Sequence, residues 1–260
     1  MYNIKIDAHT HTIFTKHAFS TISENAQAAA QKGLEALAMT DHFGLWILGF
    51  TKKREYELEN HIKPSNLPKI MHGIRVYNGI EIDIIDFNGS LAGSEIYVDY
   101  MGYNTFGDYI LAQKEFVIAS LHYFDGFKNG SITKNTQMYI DVVCKKGVDM
   151  LGHPARAGIE FDILEVVRAA KAHNTLIEIN SEDFKSKPMY IPIFTKIAEI
   201  CAKENAYICV NSDAHSCFNI GNIDDALDML ESINFPQGLI ANRDTICFEA
   251  ALMRSDNANG

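Results

Sequence analysis

Ile4-Lys5-Ile6-Asp7-Ala8 runs directly into His9-Thr10-His11, and His17 stands six positions further on. The short apolar run reads as a β-strand over Ile4 to Ala8. Side chains repeat every two residues along a strand, so His9 and His11 at its end point the same way, as two imidazoles gripping one metal ion must. A pair of histidines at this spacing is common by itself. Its meaning depends on whether ligand-type residues recur at equivalent places along the chain.

They do recur. Leu34-Glu35-Ala36-Leu37-Ala38-Met39-Thr40 reads as a second buried strand that delivers Asp41 and His42. Arg75 to Ile80 is a third ending at Glu81, and Phe116 to Leu121 a fourth delivering His122. Val148 to Leu151 is a fifth, with His153 just past Gly152, and Leu176 to Asn180 a sixth. Tyr207 to Asn211 is a seventh, delivering Asp213 and His215. Helical patterns separate the later strands: about Asn135 to Lys146 stopping at Gly147, Asp162 to Ala172, Pro192 to Asn205, and an amphipathic Asp224 to Ile233. Near the start, Thr21-Ile22-Ser23-Glu24 fits a capping box, opening a helix through Asn25 to Lys32 with Gly33 as its stop.

Two regions break the alternation. Phe43 to Ile70 mixes the single Trp46 with Lys52-Lys53-Arg54-Glu55 and reads as an excursion with some helix. Ile82 to Gly107 is Gly-rich, with a turn signal at Asn88-Gly89 and a hairpin-like insertion whose one arm is Glu95 to Met101. Strands alternating with helices predict a parallel sheet, and seven of them predict an α/β fold closed as a distorted seven-stranded, TIM-barrel-like (β/α)7 barrel. The length of 260 residues suits one domain over 1–260. Active sites of such barrels lie at the C-terminal ends of the strands, where these His, Asp and Glu residues fall.

Composition narrows the chemistry. With 23 Lys+Arg against 33 Asp+Glu the formal charge is −10, which disfavours nucleic acid as a partner. Three divalent cations would add six positive charges and leave about −4, with the positive charge concentrated in one place. No apolar run suits a bilayer, and Met1 to Lys5 has no signal-peptide core, so a cytoplasmic protein without membrane contact is expected. Five cysteines, odd in number and without a C-x-x-C pair, read as reduced thiols.

Seven of the ten histidines join Glu81 and Asp213 in the ligand-type set: His9, His11, His17, His42, His122, His153 and His215. Imidazoles with a few carboxylates and no thiolate suit Zn²⁺, Mn²⁺ or Fe²⁺ better than Mg²⁺ or Ca²⁺. Nine ligands exceed one mononuclear site, and paired metals typically serve hydrolytic displacement at phosphorus. Glu81 is the residue suited to bridge two cations, since a carboxylate offers one oxygen to each. Arg156, three residues past His153, is a candidate phosphate clamp, because a guanidinium contacts two oxygens at once. Asp7 and Asp41 are candidate carboxylates for orienting imidazoles, and Glu178 and Asn180 candidate contacts to substrate or water. His61, His72, His173 and Cys217 read as structural.

The order His9-x-His11, His17, Thr40-Asp41-His42, Glu81, His122, His153-Pro154 and Ser212-Asp213-x-His215 resembles the PHP superfamily, named for its polymerase-associated and histidinol phosphatase members. Asp7 to Thr12, Ala38 to His42 and Asn211 to His215 look most like its YcdX-like phosphatase branch. The resemblance implies a seven-stranded distorted barrel with three divalent metal ions, of which zinc is the leading choice. It further implies that His9, His11, Glu81 and Asp213 hold the first metal, Glu81, His122 and His153 the second, and His17, His42 and His215 the third. The expected activity is hydrolysis of small phosphate monoesters by a hydroxide bridging the metal pair, with Asp213 or a ligand-held water protonating the leaving group. A homotrimer is compatible with the resemblance. Three other readings stand beside it: a nuclease or nucleotide phosphodiesterase of the same superfamily, a metal-dependent amidohydrolase, and a non-catalytic metal-binding protein. His42 and His215 separate the first reading from the amidohydrolase, which has no ligand histidine after its second strand.

Overall fold

The computed structural model describes residues 2–44 and 67–257. Seven strands form one continuous path in the order β1 (Ile6–Thr10), β2 (Ala36–Met39), β5 (Ile74–Asp83), β8 (Phe116–Ser120), β9 (Met150–Gly152), β10 (Leu176–Asn180) and β11 (Ile208–Asn211). Every pairing along this path is parallel. Two short strands lie off it. β3 (His42–Phe43) takes over from β2 along the upper half of β5, and β4 (Ile70–Met71) folds back antiparallel on its start.

The sheet nearly closes. At the upper end Thr10 bridges Ala214, and the His11 N–H donates to the Ala214 carbonyl at 2.8 Å. Lower down, the side chain of Asn242 does the work of a ladder. Its amide donates to Ile6 O at 2.8 Å and Val210 O at 2.6 Å, while its carbonyl accepts from the Val210 N–H at 3.0 Å. Seven strands thus close a barrel with one side-chain amide inserted between the first and the last.

The barrel interior is filled from below by Ile6, Ala36, Tyr77, Phe116 and Met150, and by Phe248 and Ala251 from the C-terminal helix. Outside, helices cover the sheet with residues at helical spacing. They are α1 (Ile22–Gln31), α2 (Phe106–Leu111), α3 (Ile132–Val143), α4 (Ile163–His173), α5 (Glu182–Ser186), α6 (Ile191–Glu204) and α7 (Asp224–Ser232), while α8 (Thr245–Asn257) is the C-terminal helix that closes the floor. Phe194, Ile197, Ala198 and Cys201 of α6, at i, i+3, i+4 and i+7, are all buried. No helix among the described residues is long and apolar enough to cross a membrane.

The predicted capping box is present, with both reciprocal bonds of Thr21 and Glu24 formed. The Gly-rich insertion carries the expected hairpin, β6 (Tyr97–Tyr100) against β7 (Tyr103–Thr105). The excursion read over Phe43 to Ile70 falls mostly on 45–66, outside the described residues. Two boundaries are corrected. The first strand begins and ends two residues later than its apolar run, because buried His9 and Thr10 continue the pairing with β2. Glu81 lies inside β5, two residues before its end, since β8 pairs with it as far as Asp83.

Candidate metal centre

β1 solves a geometric problem to deliver its histidines. Ile6 and Ala8 face the barrel interior, and strict alternation would turn His9 outward. The register with β2 shifts between Asp7 and Thr10, a bulge-like irregularity that re-aims the side chains above it. His9 and His11 accordingly both enter the mouth, their rings 5.1 Å apart.

Glu81 is the centre of the cluster and is wholly buried. Its two oxygens face two different groups of histidines. Oε1 lies 2.8 Å from His153 Nε2 and 3.4 Å from His122 Nε2. Oε2 lies 2.7 Å from His42 Nδ1, 3.2 Å from His9 Nε2 and 3.5 Å from His11 Nε2. Asp213 Oδ1 completes one flank, 3.0 Å from His11 Nε2 and 3.4 Å from His9 Nε2. His17 packs its ring 4.5 Å from that of His215 and 5.3 Å from that of His42. All nine predicted residues therefore converge at the C-terminal mouth of the barrel.

Three histidines have their Nδ1 committed to an anchor. His9 Nδ1–H donates to Glu178 Oε1 at 2.8 Å, His122 Nδ1–H to Asp83 Oδ1 at 2.7 Å, and His215 Nδ1–H to the Asp213 carbonyl at 2.9 Å. Each anchor keeps a proton on Nδ1, so that in the neutral ring Nε2 is the lone pair, the arrangement typical of a metal-ligating imidazole. His9 Nε2, His215 Nε2 and Glu81 Oε2 are buried yet make no hydrogen bond of acceptable geometry. Buried polar atoms are normally satisfied, so such a set fits cations as the missing partners. Ligand atoms fall within 4.8 Å of one another in four overlapping groups: His9, His11 and Asp213; His9, Glu81 and His153; His42, Glu81 and His122; and His11, His42 and His215.

Charge in the cluster is divided unevenly. Burial works against protonation of His9, but Glu178, Asp213 and Glu81 overcome it and hold the ring well above its ordinary value. At His122, Glu81 and Asp83 likewise outweigh burial and raise it to about 10. His17 and His153 go the other way, to about 4, through burial aided by His215 and His42 in one case and by Arg156 in the other. Burial alone would raise Glu81 and Asp213, yet the histidines around Glu81, and His9 with Arg156 beside Asp213, hold both carboxyls well below the usual range.

Arg156 enters the site already paired. Its Nε donates to Asp183 Oδ1 at 2.6 Å and its Nη2 to Asp213 Oδ2 at 2.7 Å. Asp41 accepts from the Thr12 N–H and hydroxyl, both at 2.7 Å, and from the Thr15 hydroxyl at 2.8 Å. Thr15 Oγ1 lies 3.3 Å from His11 Nδ1 and accepts from the His42 backbone N–H at 3.2 Å, so through Thr15 Asp41 reaches the His11 ring and the backbone of its neighbour His42. Asp7 orients no imidazole. On the outward face below the irregularity, it accepts from the Ser212 N–H and hydroxyl and from the Gly221 N–H at 2.8 Å, tying β1 to the loop after β11.

Asp83, Thr15 and Asp183 escaped the reading of the sequence. Asp83 follows Glu81 at i+2 on one strand, a spacing that could have revealed it; Asp183 carries no such signal. His72 pairs with Ser23 Oγ, His173 sits in the last turn of α4, and His61 lies outside the described residues.

The family model of the PHP domain matches residues 7–213. A protein of Clostridium novyi named "Probable phosphatase" is 33% identical over 240 residues, 92% of this chain and 90% of that one. Another of the same name from Clostridium botulinum is 35% identical over 239 residues, again 92% and 90%. Among solved structures, the histidinol phosphate phosphatase of Lactococcus lactis, complexed with zinc, L-histidinol and phosphate, superposes with a TM-score of 0.61 at 17% identity. The match covers 89% of this chain and 94% of that one.

Proposed function

The chain belongs to the PHP domain family, and from that premise we propose that it is a metal-dependent phosphatase acting on small phosphate monoesters. The observation that carries this reading is Glu81, whose two buried oxygens face separate sets of imidazole nitrogens, as a ligand shared by two cations would. On this reading His9, His11, Glu81 and Asp213 hold one divalent ion, Glu81, His122 and His153 a second, and His17, His42 and His215 a third. Zinc is the expected ion, and the zinc bound by the Lactococcus lactis enzyme supports that choice.

Bound divalent ions supply Lewis acidity, which acidifies water and offsets charge on a transferred phosphoryl group. The remaining work belongs to side chains. Arg156 is the only guanidinium among those described at the mouth, and it turns from Asp213 toward an incoming phosphate while Asp183 keeps its Nε. Asp213, once Arg156 has turned from it, is placed to take a proton from the attacking water and return it to the leaving oxygen. The buried ring of imidazoles excludes bulk water and strengthens these contacts.

Elemental analysis of protein purified without chelator, coupled to a screen of phosphate esters with Zn²⁺, Mn²⁺ and Fe²⁺, tests the proposal. Two or three ions per chain and turnover of small monoesters are expected. Fewer than two ions after reconstitution would overturn the multinuclear site, and faster cleavage of short oligonucleotides than of small monoesters would replace the substrate class.

A further inference from the structure

Glu178 of β10, a candidate contact to substrate or water by its place at a strand end, is spent instead on the protein: one oxygen anchors His9 and the other reaches a different ligand residue, His153. Oε1 accepts from His9 Nδ1–H and from Asn211 Nδ2, both at 2.8 Å. Oε2 accepts from the backbone N–H of His153 at 2.8 Å and from Asn180 Nδ2 at 3.3 Å. The carboxylate is fully buried and takes four donors from β1, β10, β11 and the residue after β9. His153 has a left-handed backbone, φ 24°, a conformation that a non-glycine residue keeps only when its surroundings hold it. The fixed N–H is one such hold.

The far sides of the same two residues meet Glu81. His9 Nε2 faces Oε2 at 3.2 Å and His153 Nε2 faces Oε1 at 2.8 Å. The two rings stack between the carboxylates, 5.8 Å apart and inclined by 24°. We propose that Glu178 is a positioning residue whose rigid pair of oxygens sets the offset between His9 and His153, and with it the spacing of the two divalent ions that share Glu81. This rests on the metal-binding reading given above. A carboxylate is required because all four partners donate. A glutamine in either rotamer would face an NH₂ group to two of them and lose both bonds, and an aspartate is one methylene short.

The test is Glu178→Gln, with Glu178→Asp beside it, compared with the wild type in Zn²⁺ titrations followed by elemental analysis and in the visible spectrum of Co²⁺-loaded protein. The wild type is expected to take three ions. In E178Q the affinity of the pair falls by about 10- to 100-fold and its Co²⁺ bands shift, while the ion held by His17, His42 and His215 stays. A residue that only supported the fold would lower the melting temperature of metal-free protein and leave stoichiometry and spectrum alone, which would overturn the proposal. If neither variant folds, the decision passes to the Zn²⁺-loaded wild type labelled with [¹⁵N]histidine. His9 must there carry its proton on Nδ1, and an unprotonated Nδ1 sinks the inference. A wild type that binds fewer than two ions defeats the parent reading instead, so the two failures are distinguishable.

Discussion

Lys114, just ahead of β8, is a residue whose burial has a measurable consequence away from the metal cluster. Its Nζ donates to Asn78 Oδ1 at 3.3 Å, and burial lowers its amine to about 8, against a smaller opposing pull from Asp41. Between about 8 and the ordinary value near 10.5, the unfolded chain holds a proton that the folded chain has lost, so stability rises with pH across that window. Below it both states hold the proton, and the folded protein bears the cost of keeping the amine charged in a partly buried place. Lys114→Met should therefore stabilise the protein at pH 7 by about 1–2 kcal/mol, the gain vanishing by about pH 10.5. Urea unfolding at the two pH values measures it, and an equal gain at both would refute the assignment. At this scale the nine ligand-type residues were legible because each follows a strand or lies at its mouth. Their anchors were less so: Asp41 stands out beside His42, but that Glu178 serves His9, 169 positions away, instead of substrate or water shows only in the folded barrel.

At the level of elements, the closure between β1 and β11 depends on Asn242 more than on ladder bonds. Asn242→Ala would leave the buried Val210 N–H and Ile6 C=O without their partners, so a loss of about 2–4 kcal/mol is expected. Differential scanning calorimetry of metal-free protein would show it, and an unchanged melting temperature would mean that the strands pair directly without the amide. Nothing in the chain announced this role, because a single asparagine after the last strand looks like any loop residue. β10 could be read to the residue, since Leu176 to Asn180 is wholly buried and bounded by helices. α8 was missed because it has no clear apolar stripe. Phe248 and Ala251 are buried, but Ile246 beside them is 81% exposed, and what makes the helix fold is the open floor of the barrel that Phe248 fills. The bulge-like irregularity in β1 was equally hidden. Periodicity places His9 and His11 on one side, but not which side.

For the whole molecule, the balance of charge makes folding and metal binding one equilibrium. Glu81, Asp213, Glu178 and Asp83 are all buried within a protein of net charge −10, and in metal-free protein only imidazolium and guanidinium groups oppose them at the mouth. Ions that bind the folded chain alone stabilise it, by about 2.7 kcal/mol per site at a hundredfold excess over Kd. In a chain of this size that is about 5–10 °C per site. Chelator should lower the melting temperature by at least this amount, Zn²⁺ should restore it, and a melting curve indifferent to both would argue against resident ions.

The bond between His11 and Asp213 joins residues 202 positions apart, and the amide that completes the seam lies later still. During synthesis the first histidines leave the ribosome long before any partner from the last strand exists. Contacts of such high sequence separation also form late in folding. Until then every set that includes Asp213 or His215 lacks a ligand, and a nascent chain offers passing ions only incomplete sites. On the metal-binding reading, capture of the full complement waits for the end of translation, when the same event that shuts the barrel also finishes the cage.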